Sequence, residues 1–152
     1  MPSSRRWQEA RVFAISPEPI DMAAVTEAVA DEQAGAVATF GGMTRAHNRG
    51  RRVIRLEYEA YDEMAVAEFR RLAGEAAGRW PLTRTAIVHR SGVVPVGELS
   101  VAIAVSAEHR AEALAACAWL IDSLKHVAPI FKKEHFEGGE VWIGSLADCE
   151  HE

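Results

Sequence analysis

Residues 122–136 read Asp-Ser-Leu-Lys-His-Val-Ala-Pro-Ile-Phe-Lys-Lys-Glu-His-Phe, which joins a helix end, a proline and an alternating segment. Because proline cannot continue a helix, Pro129 ends the preceding helical pattern. Beyond it the side chains alternate as in a strand, so that Lys132 and Lys133 fall on opposite faces. The pattern therefore predicts that at most one of these two lysines shares a pocket with Lys125.

All three lysines of the chain lie in this stretch, whereas the other fourteen basic residues are arginine. A desolvated lysine can lose its proton and act as a base or nucleophile, but a guanidinium group stays charged. The clustering therefore favours a chemical role for these amines. The alternative is a solvated basic patch at a helix C-terminus, where cations suit the helix dipole. Asp122 beside Lys125 and Glu134 beside Lys132 are local partners that fit this alternative.

The hydrophobic pattern of the whole chain predicts short strands and helices in one domain, residues 1–152, without repeats or linkers. The first helix is expected from Asp21 through about Asp31, and the second from about Asp62 until Pro81 ends it. The third is expected after Ser106, which would cap it. Strands are predicted at residues 11–15, 36–40, 53–59, 85–90, 99–106, 130–136 and 140–143, with the strand at 53–59 antiparallel to the preceding one. The acidic tail, about 146–152, is expected to be flexible.

Apolar periodicity also selects core residues. Met64 and Phe69 are expected to be buried, as is a stripe on the third helix formed by Leu114, Cys117, Ala118, Ile121 and Leu124. In the strand at 99–106 large aliphatics alternate with Ser and Ala, so one face fills a core and the other admits a closely packed element.

Length and composition are those of an ordinary globular domain. The 152 residues are 49% hydrophobic and 26% charged, and the net charge of -5 argues against general nucleic-acid affinity. Cys117 and Cys149 give no disulfide framework. The N-terminal charges are not followed by the apolar segment that a signal peptide has. The longest apolar run is too short for a membrane span. We expect a cytoplasmic protein.

Residues 43–52 have no hydrophobic period, and their basic side chains are bracketed by Gly41, Gly42 and Gly50. The glycines and basic side chains make this segment a plausible anion cradle, although no Walker A motif is present. Arg45 and His47, nearest the strand end, are the better site candidates. For the others, Arg49, Arg51 and Arg52, a solvated hairpin connection is the preferred interpretation.

His109 and Arg110 begin the third helix, where backbone N–H groups favour an anion. The alternative is an exposed first turn with two solvated side chains. Lys125 lies about four turns away on that helix. Within one chain these residues therefore cannot contact one small group; they could meet across a subunit interface or around an extended ligand.

The remaining histidines and cysteines give no stronger signal. No histidine pair has the spacing of a metal-binding helix, so no metal site is predicted. His89, alone on a strand, is interpreted as a structural histidine with satisfied hydrogen bonds. Cys117, on an apolar stripe, is interpreted as an inert buried thiol.

Several ordered motifs resemble the large, catalytic subunit of molybdopterin synthase, over about residues 35–142. The resemblance is carried by Phe40-x-Gly42-x-x-Arg45, His47-Asn48, Arg79-Trp80-Pro81-Leu82, His89-Arg90-x-Gly92, Ala107-Glu108-His109-Arg110 and Leu124-Lys125-x-x-x-Pro129-Ile130-Phe131-Lys132-Lys133-Glu134. The last motif is the most specific. Ala107 and Phe131 depart from the serine and tryptophan usual in the family, which affects pocket geometry but removes no titratable group.

This resemblance implies an α+β hammerhead-type fold with a mixed or antiparallel sheet, three main helices and a small additional β subdomain. It implies a homodimer in which each subunit binds a small ubiquitin-like carrier whose C-terminal Gly-Gly ends in a thiocarboxylate, giving a heterotetramer. The implied reaction transfers two sulfurs to cyclic pyranopterin monophosphate, forming the dithiolene of molybdopterin, with no cofactor.

The resemblance also implies roles for individual residues. Lys125 and Lys132 would be catalytic, in a pocket that draws on both subunits. The residues that would bind substrate are Phe40, Arg45, His47, His109, Arg110 and Lys133. Two other functions remain open: a non-catalytic phosphate- or nucleotide-binding module, and a protein that only binds a ubiquitin-like tail.

Overall fold

A computed structural model of the chain describes residues 12–145, which form nine strands and three helices. The helices are α1 (Met22–Ala28), α2 (Asp62–Arg79) and α3 (Arg110–Val127). The strands are β1 (Phe13–Ser16), β2 (Ala36–Met43), β3 (His47–Asn48), β4 (Arg51–Ala60), β5 (Leu82–Arg90), β6 (Gly92–Pro95), β7 (Leu99–Ala107), β8 (Ile130–Phe136) and β9 (Gly139–Ser145).

The strands form two sheets. The first is mixed, with order β1-β5-β7-β2; β1 runs parallel to β5 and the other pairs are antiparallel. The second is antiparallel, with order β3-β4-β8-β9, and β6 also pairs with β4. This architecture confirms the predicted α+β class with three helices and an additional β unit.

The first sheet is covered on both faces. Its large aliphatics, among them Ile87 and Ile103, pack with Phe69 of α2 and Leu120 of α3 in one core cluster. On the opposite face, alanines of β5 and β7 form a second cluster with Val25 and Val29 at α1. The predicted division of the β7 strand into a bulky face and a small-residue face is thus confirmed, and the small face is where α1 lies.

The two long helices follow their predicted courses, but three local predictions are wrong. Asp21 caps α1 as expected, its carboxylate accepting the N–H of Ala23 at 3.0 Å. The helix nevertheless ends at Ala28 rather than Asp31, whose carboxylate instead accepts the N–H of Gln33 in the following turn. Ser106 does not cap α3: it lies within β7, and its buried hydroxyl accepts the N–H of Arg84.

The third wrong prediction concerns strand pairing. β4 is not antiparallel to β2; β2 pairs with β7, and β4 belongs to the second sheet. Local alternation shows that a segment is a strand but does not encode its distant partner. A register shift between Val53 and Arg55 also breaks the alternation of β4, so that Val53 is buried with Leu56 and Tyr58.

The predicted core needs two corrections as well. Met64 is 61% exposed, whereas Phe69 is fully buried as expected. On α3, Leu114 and Ala118 are exposed. The buried residues of that helix are Ala113, Ala116, Cys117, Leu120 and Leu124. Because α3 packs against both the sheet and α2, its buried face is displaced from the stripe that hydrophobicity alone marks.

Some expectations fall on residues outside 12–145. These include the start of the first strand, Cys149 and the tail at 146–152. Within the described part of the chain, no helix is both long enough and apolar enough to pass through a bilayer.

Candidate active site

A cavity of about 350 Å³ lies where the two sheets and the C-terminal end of α3 meet. Every strand from β2 to β8 except β6 contributes to its wall. The lining residues are Phe40, Gly42, Met43, Arg45, His47, Asn48, Val53, Leu56, Tyr58, His89, Ser100, Val101, Ile121, Leu124, Lys125, Lys132 and Glu134. The wall therefore combines apolar side chains with a small set of cationic groups, as is typical of sites for anionic organic ligands.

Lys125 is placed in the cavity by the end of α3. The preceding Leu124 is fully buried, and its carbonyl accepts the N–H of Ala128 at 3.1 Å, which closes the helix. Pro129 then redirects the chain, and its carbonyl accepts the N–H of Tyr61 at the start of α2. With Ile130 fully buried, both ends of the connection are fixed. Lys125 is consequently held by packed backbone rather than by a free loop.

Lys132 and Lys133 occupy opposite faces of β8, as predicted. Lys132 lines the cavity together with Lys125. Lys133 lies outside the lining: its Nζ is 3.0 Å from Glu140 Oε1 and 5.3 Å from the centre of the Trp142 ring. Lys133, which was also predicted to bind substrate, is therefore engaged on the outer face of the second sheet.

Glu134 joins the β3–β4 hairpin to the cavity wall. It is fully buried and lies two residues after Lys132, on the same face of β8. Its Oε2 accepts a hydrogen bond from Asn48 Nδ2 at 2.7 Å, and its Oε1 lies 3.2 Å from an Arg51 guanidinium nitrogen. Arg51 also covers the Phe136 ring at 4.4 Å. Arg51 is thus not the solvated residue that the sequence suggested, but a fixed structural cation.

The hairpin turn itself consists of Arg49 and Gly50, which have φ angles of 50° and 77°. Positive φ at both central residues is the geometry of tight hairpin turns whose twist matches that of the flanking strands. The turn therefore brings His47 and Asn48 back against β4, which places them at the cavity.

We expect replacement of Asn48 by Ala to lower the free energy of unfolding by about 2 kcal/mol, because a buried carboxylate loses its hydrogen-bond donor. Urea denaturation followed by circular dichroism measures the change. Arg52→Ala, at an exposed neighbouring position, is the matched control and should change stability by less than about 0.5 kcal/mol. Equal effects of the two substitutions would contradict the assigned role of Asn48.

Phe40, Arg45 and His47, all predicted to bind substrate, line the cavity. Phe40 comes from β2, Arg45 from the segment after it, and His47 from β3. Arg45 and His47 are exposed, whereas Phe40 is half-buried. A ring beside two exposed basic groups suits a ligand that has a flat apolar part and an anionic part.

His109 and Arg110 lie elsewhere. They line a separate shallow depression at the start of α3, together with Gly35, Ala36, Glu108 and Ala111. Arg110 and Lys125 are fifteen positions apart on α3, which corresponds to about 22 Å. The structure thus agrees with the sequence in separating these residues from the lysines within one chain.

Two buried groups have pKa values changed by their surroundings. Burial raises the pKa of the Cys117 thiol to about 11, which keeps it protonated and supports its interpretation as an inert residue. Burial, with a smaller contribution from the charge of Lys132, lowers the pKa of His89 to about 4. His89 lines the cavity, which the sequence did not indicate. Within residues 12–145, no three His, Cys, Asp or Glu side chains are placed to hold a metal ion.

The sequence model of the MoaE protein family matches residues 15–127. The chain belongs to the MoaE family. A MoaE relative from Halalkalibacterium halodurans, the molybdopterin synthase catalytic subunit, is 42% identical over 132 residues, which cover 87% of this chain and 85% of that protein. The crystal structure of molybdopterin synthase from Staphylococcus aureus superposes with a TM-score of 0.84 at 39% identity, covering 87% of this chain and 96% of that one.

A more distant structure shares the MoaE fold. It is a protein–protein complex of subunits 1 and 2 of the molybdopterin-converting factor from Helicobacter pylori. It is 21% identical to this chain, with a TM-score of 0.72 and coverage of 86% of this chain and 89% of that one. Membership of the MoaE family makes this chain a homologue of the catalytic subunits of molybdopterin synthase, which are enzymes of molybdenum cofactor biosynthesis.

Proposed function

We propose that this chain transfers sulfur from the C-terminal thiocarboxylate of a small ubiquitin-like carrier to cyclic pyranopterin monophosphate, forming the dithiolene of molybdopterin. The observation that carries the proposal is the presence of Lys125 and Lys132, two of only three lysines in the chain, in the wall of one cavity. An arginine-rich chain that retains lysine there supports proton chemistry rather than charge alone.

The cavity residues divide into reacting and binding groups. Lys125 acts as general acid and base while the thiocarboxylate sulfur adds to the pterin and water then cleaves the sulfur–acyl bond, which leaves the sulfur on the pterin and a carboxylate on the carrier. Alternatively, Lys125 holds the terminal carboxylate of the carrier. Lys132 stabilises negative charge that develops during the addition. Arg45 and His47 bind the phosphate, and Phe40 packs against the ring system of the substrate.

The proposal includes two kinds of partner. A small carrier subunit with a C-terminal Gly-Gly would insert its tail into the cavity; the two-subunit complex from Helicobacter pylori supports such a partner by analogy. A second copy of this chain would bring its His109 and Arg110 to the lysines, because these residues are too far from Lys125 within one chain. The assembly is then a dimer of this chain with two carriers, and we place it in the cytoplasm.

One incubation tests the proposal and its alternatives. The protein is mixed with thiocarboxylated carrier and the cyclic pterin, and dithiolene product is detected after oxidation to a fluorescent pterin. A phosphate- or nucleotide-binding module would bind the pterin without product. A protein that only binds the carrier tail would bind the carrier with no dependence on pterin. Failure to form product with carrier that is shown to be thiocarboxylated would overturn the proposal.

Arg45→Ala is expected to raise the KM for the cyclic pterin about tenfold while kcat changes little, since the loss of one charge-assisted contact to phosphate weakens binding. Initial rates over a range of pterin concentrations measure both constants. Arg52→Ala removes an exposed arginine that does not line the cavity and is the control. An unchanged KM for Arg45→Ala would remove that residue from the binding site.

A further inference from the structure

His89 is a cavity residue whose chemistry the proposed function leaves unused. It lies near the end of β5, is 1% exposed, and lines the cavity with both catalytic lysines. A buried imidazole is costly unless its polar atoms have partners. An aliphatic side chain would pack at this position without that cost, so the ring raises the question of what its two nitrogens do.

One nitrogen has a fixed role. His89 Nδ1 lies 2.6 Å from the carbonyl oxygen of Arg90. A carbonyl oxygen only accepts hydrogen bonds, so Nδ1 must carry the proton, and in the neutral ring Nε2 is the acceptor. Arg90 is itself anchored, because its guanidinium group donates to Glu98 at 2.8 Å and to the carbonyl of Val93 at 3.2 Å. The tautomer and position of the ring are therefore determined by the backbone of β5.

The His89 ring and Lys132 are both neighbours of Tyr58. Tyr58 of β4 makes an edge-to-face contact with His89, with ring centres 4.8 Å apart. In the same sheet, Tyr58 is directly paired with Lys132 of β8. Because of this proximity, the positive charge of Lys132 contributes to lowering the pKa of His89. An imidazole that stays neutral adds no competing cation beside the lysines.

Other charged or titratable groups also line this cavity and contribute to its potential: Arg45, His47, Tyr58, Lys125 and Glu134. Beside these groups, His89 has its tautomer fixed by a backbone carbonyl. Its neighbour Lys132 has only donor atoms.

We propose that His89 is a positioning residue for Lys132, its Nε2 accepting a hydrogen bond from the Lys132 ammonium group and orienting it within the cavity. The inference deepens the proposed function and rests on the catalytic role assigned there to Lys132. It extends that role by giving the lysine a fixed acceptor, so that its protons point in a defined direction before the carrier arrives.

Two substitutions separate this role from a merely structural one. In His89→Asn the amide nitrogen takes the place of Nδ1, so the hydrogen bond to the Arg90 carbonyl is kept and the Nε2 acceptor is lost. In His89→Gln an amide oxygen reaches the place of Nε2, while the bond to Arg90 is weakened. If His89 positions Lys132, His89→Asn should disturb Lys132 more than His89→Gln does. If the role of His89 is only structural, His89→Gln should be the more damaging substitution.

The readout uses the small number of lysines. Carbon-13 labelling of lysine gives three side-chain signals in NMR spectra, one for each of Lys125, Lys132 and Lys133, assigned with single Lys→Arg variants. The acceptor stabilises the ammonium form, so its removal in His89→Asn is expected to lower the titration midpoint of Lys132 by about one pH unit. In His89→Gln the midpoint should stay near that of the unsubstituted chain. An unchanged midpoint in a folded His89→Asn protein overturns the inference.

The reciprocal measurement leaves His89 in place and avoids any loss of folding caused by its substitution. In Lys132→Met the nitrogen-15 resonance of His89 Nε2 is expected to move to the position of an acceptor without a hydrogen bond. No movement would contradict the inference. Neither NMR experiment requires catalysis, so the inference is decided separately from the proposed function.

A kinetic arm then links the two. With thiocarboxylated carrier and cyclic pterin, His89→Asn should lower kcat about tenfold and leave the KM for pterin unchanged. Absence of product with the unsubstituted chain would instead count against the proposed function itself.

Discussion

Replacement of Lys125 by Arg is expected to lower the rate of dithiolene formation by a factor of at least about 100, the range associated with loss of a general acid or base. The substitution keeps the positive charge and the position at the end of α3. It removes the capacity for proton transfer, because guanidinium does not deprotonate. Single-turnover assays with thiocarboxylated carrier measure the chemical step without interference from carrier exchange.

Lys133→Arg is the matched control for this prediction. Lys133 lies eight residues from Lys125 and is paired with Glu140 on the outer face of the second sheet. Arginine can maintain that ion pair, so the rate should stay within a factor of about two. If Lys125→Arg turned over as fast as Lys133→Arg, then Lys125 would serve only as a charge and the proposed proton transfer would be excluded.

The second large effect is expected from mixed dimers. One protomer carries Lys125→Arg, and the other carries Ala at both His109 and Arg110. Homodimers of either variant should be almost inactive. In the mixed dimer one site combines all the substitutions, while the other has none, so purified mixed dimers should recover about half of the normal activity. Differently tagged chains, co-expressed and purified over two affinity columns, provide the sample.

A second mixed dimer provides the control. Lys125 and Lys132 line one cavity of one chain, so a dimer with Lys125→Arg in one protomer and Lys132→Arg in the other has a defective lysine in each site. It should remain inactive. If the first mixed dimer, with the His109 and Arg110 substitutions in one protomer, also remained inactive, these residues would not complete the site of the neighbouring subunit.

Local patterns in the sequence predicted those parts of the fold that depend on nearby residues. Pro81 and Pro129 mark helix ends because the constraint is covalent. The faces of β8 could be read because side chains alternate in every strand, whatever its neighbours. The pairing of β2 with β7 depends on residues about sixty positions apart, and the alternation within either strand does not encode it.

The same distinction applies to the candidate site. The lysines stood out by composition, and Arg45 and His47 by their place after a strand. His89 had no such signal, because a single histidine in a strand looks the same whether it faces a core or a cavity. Arg51 was assigned to solvent because its partner Glu134 is distant in sequence. The burial of that carboxylate, which decides the matter, follows only from the meeting of β3, β4 and β8.

The connection between α3 and β8 is so short that its length determines which side chains of β8 face the cavity. Lys125 and Lys132 are seven positions apart, and Ala128 and Pro129 alone separate helix from strand. Since facing alternates with every residue of a strand, one amino acid added after Pro129 would turn the Lys132 amine outward and present its neighbour instead. This joint should therefore tolerate changes of side chain far better than insertions or deletions during evolutionary divergence.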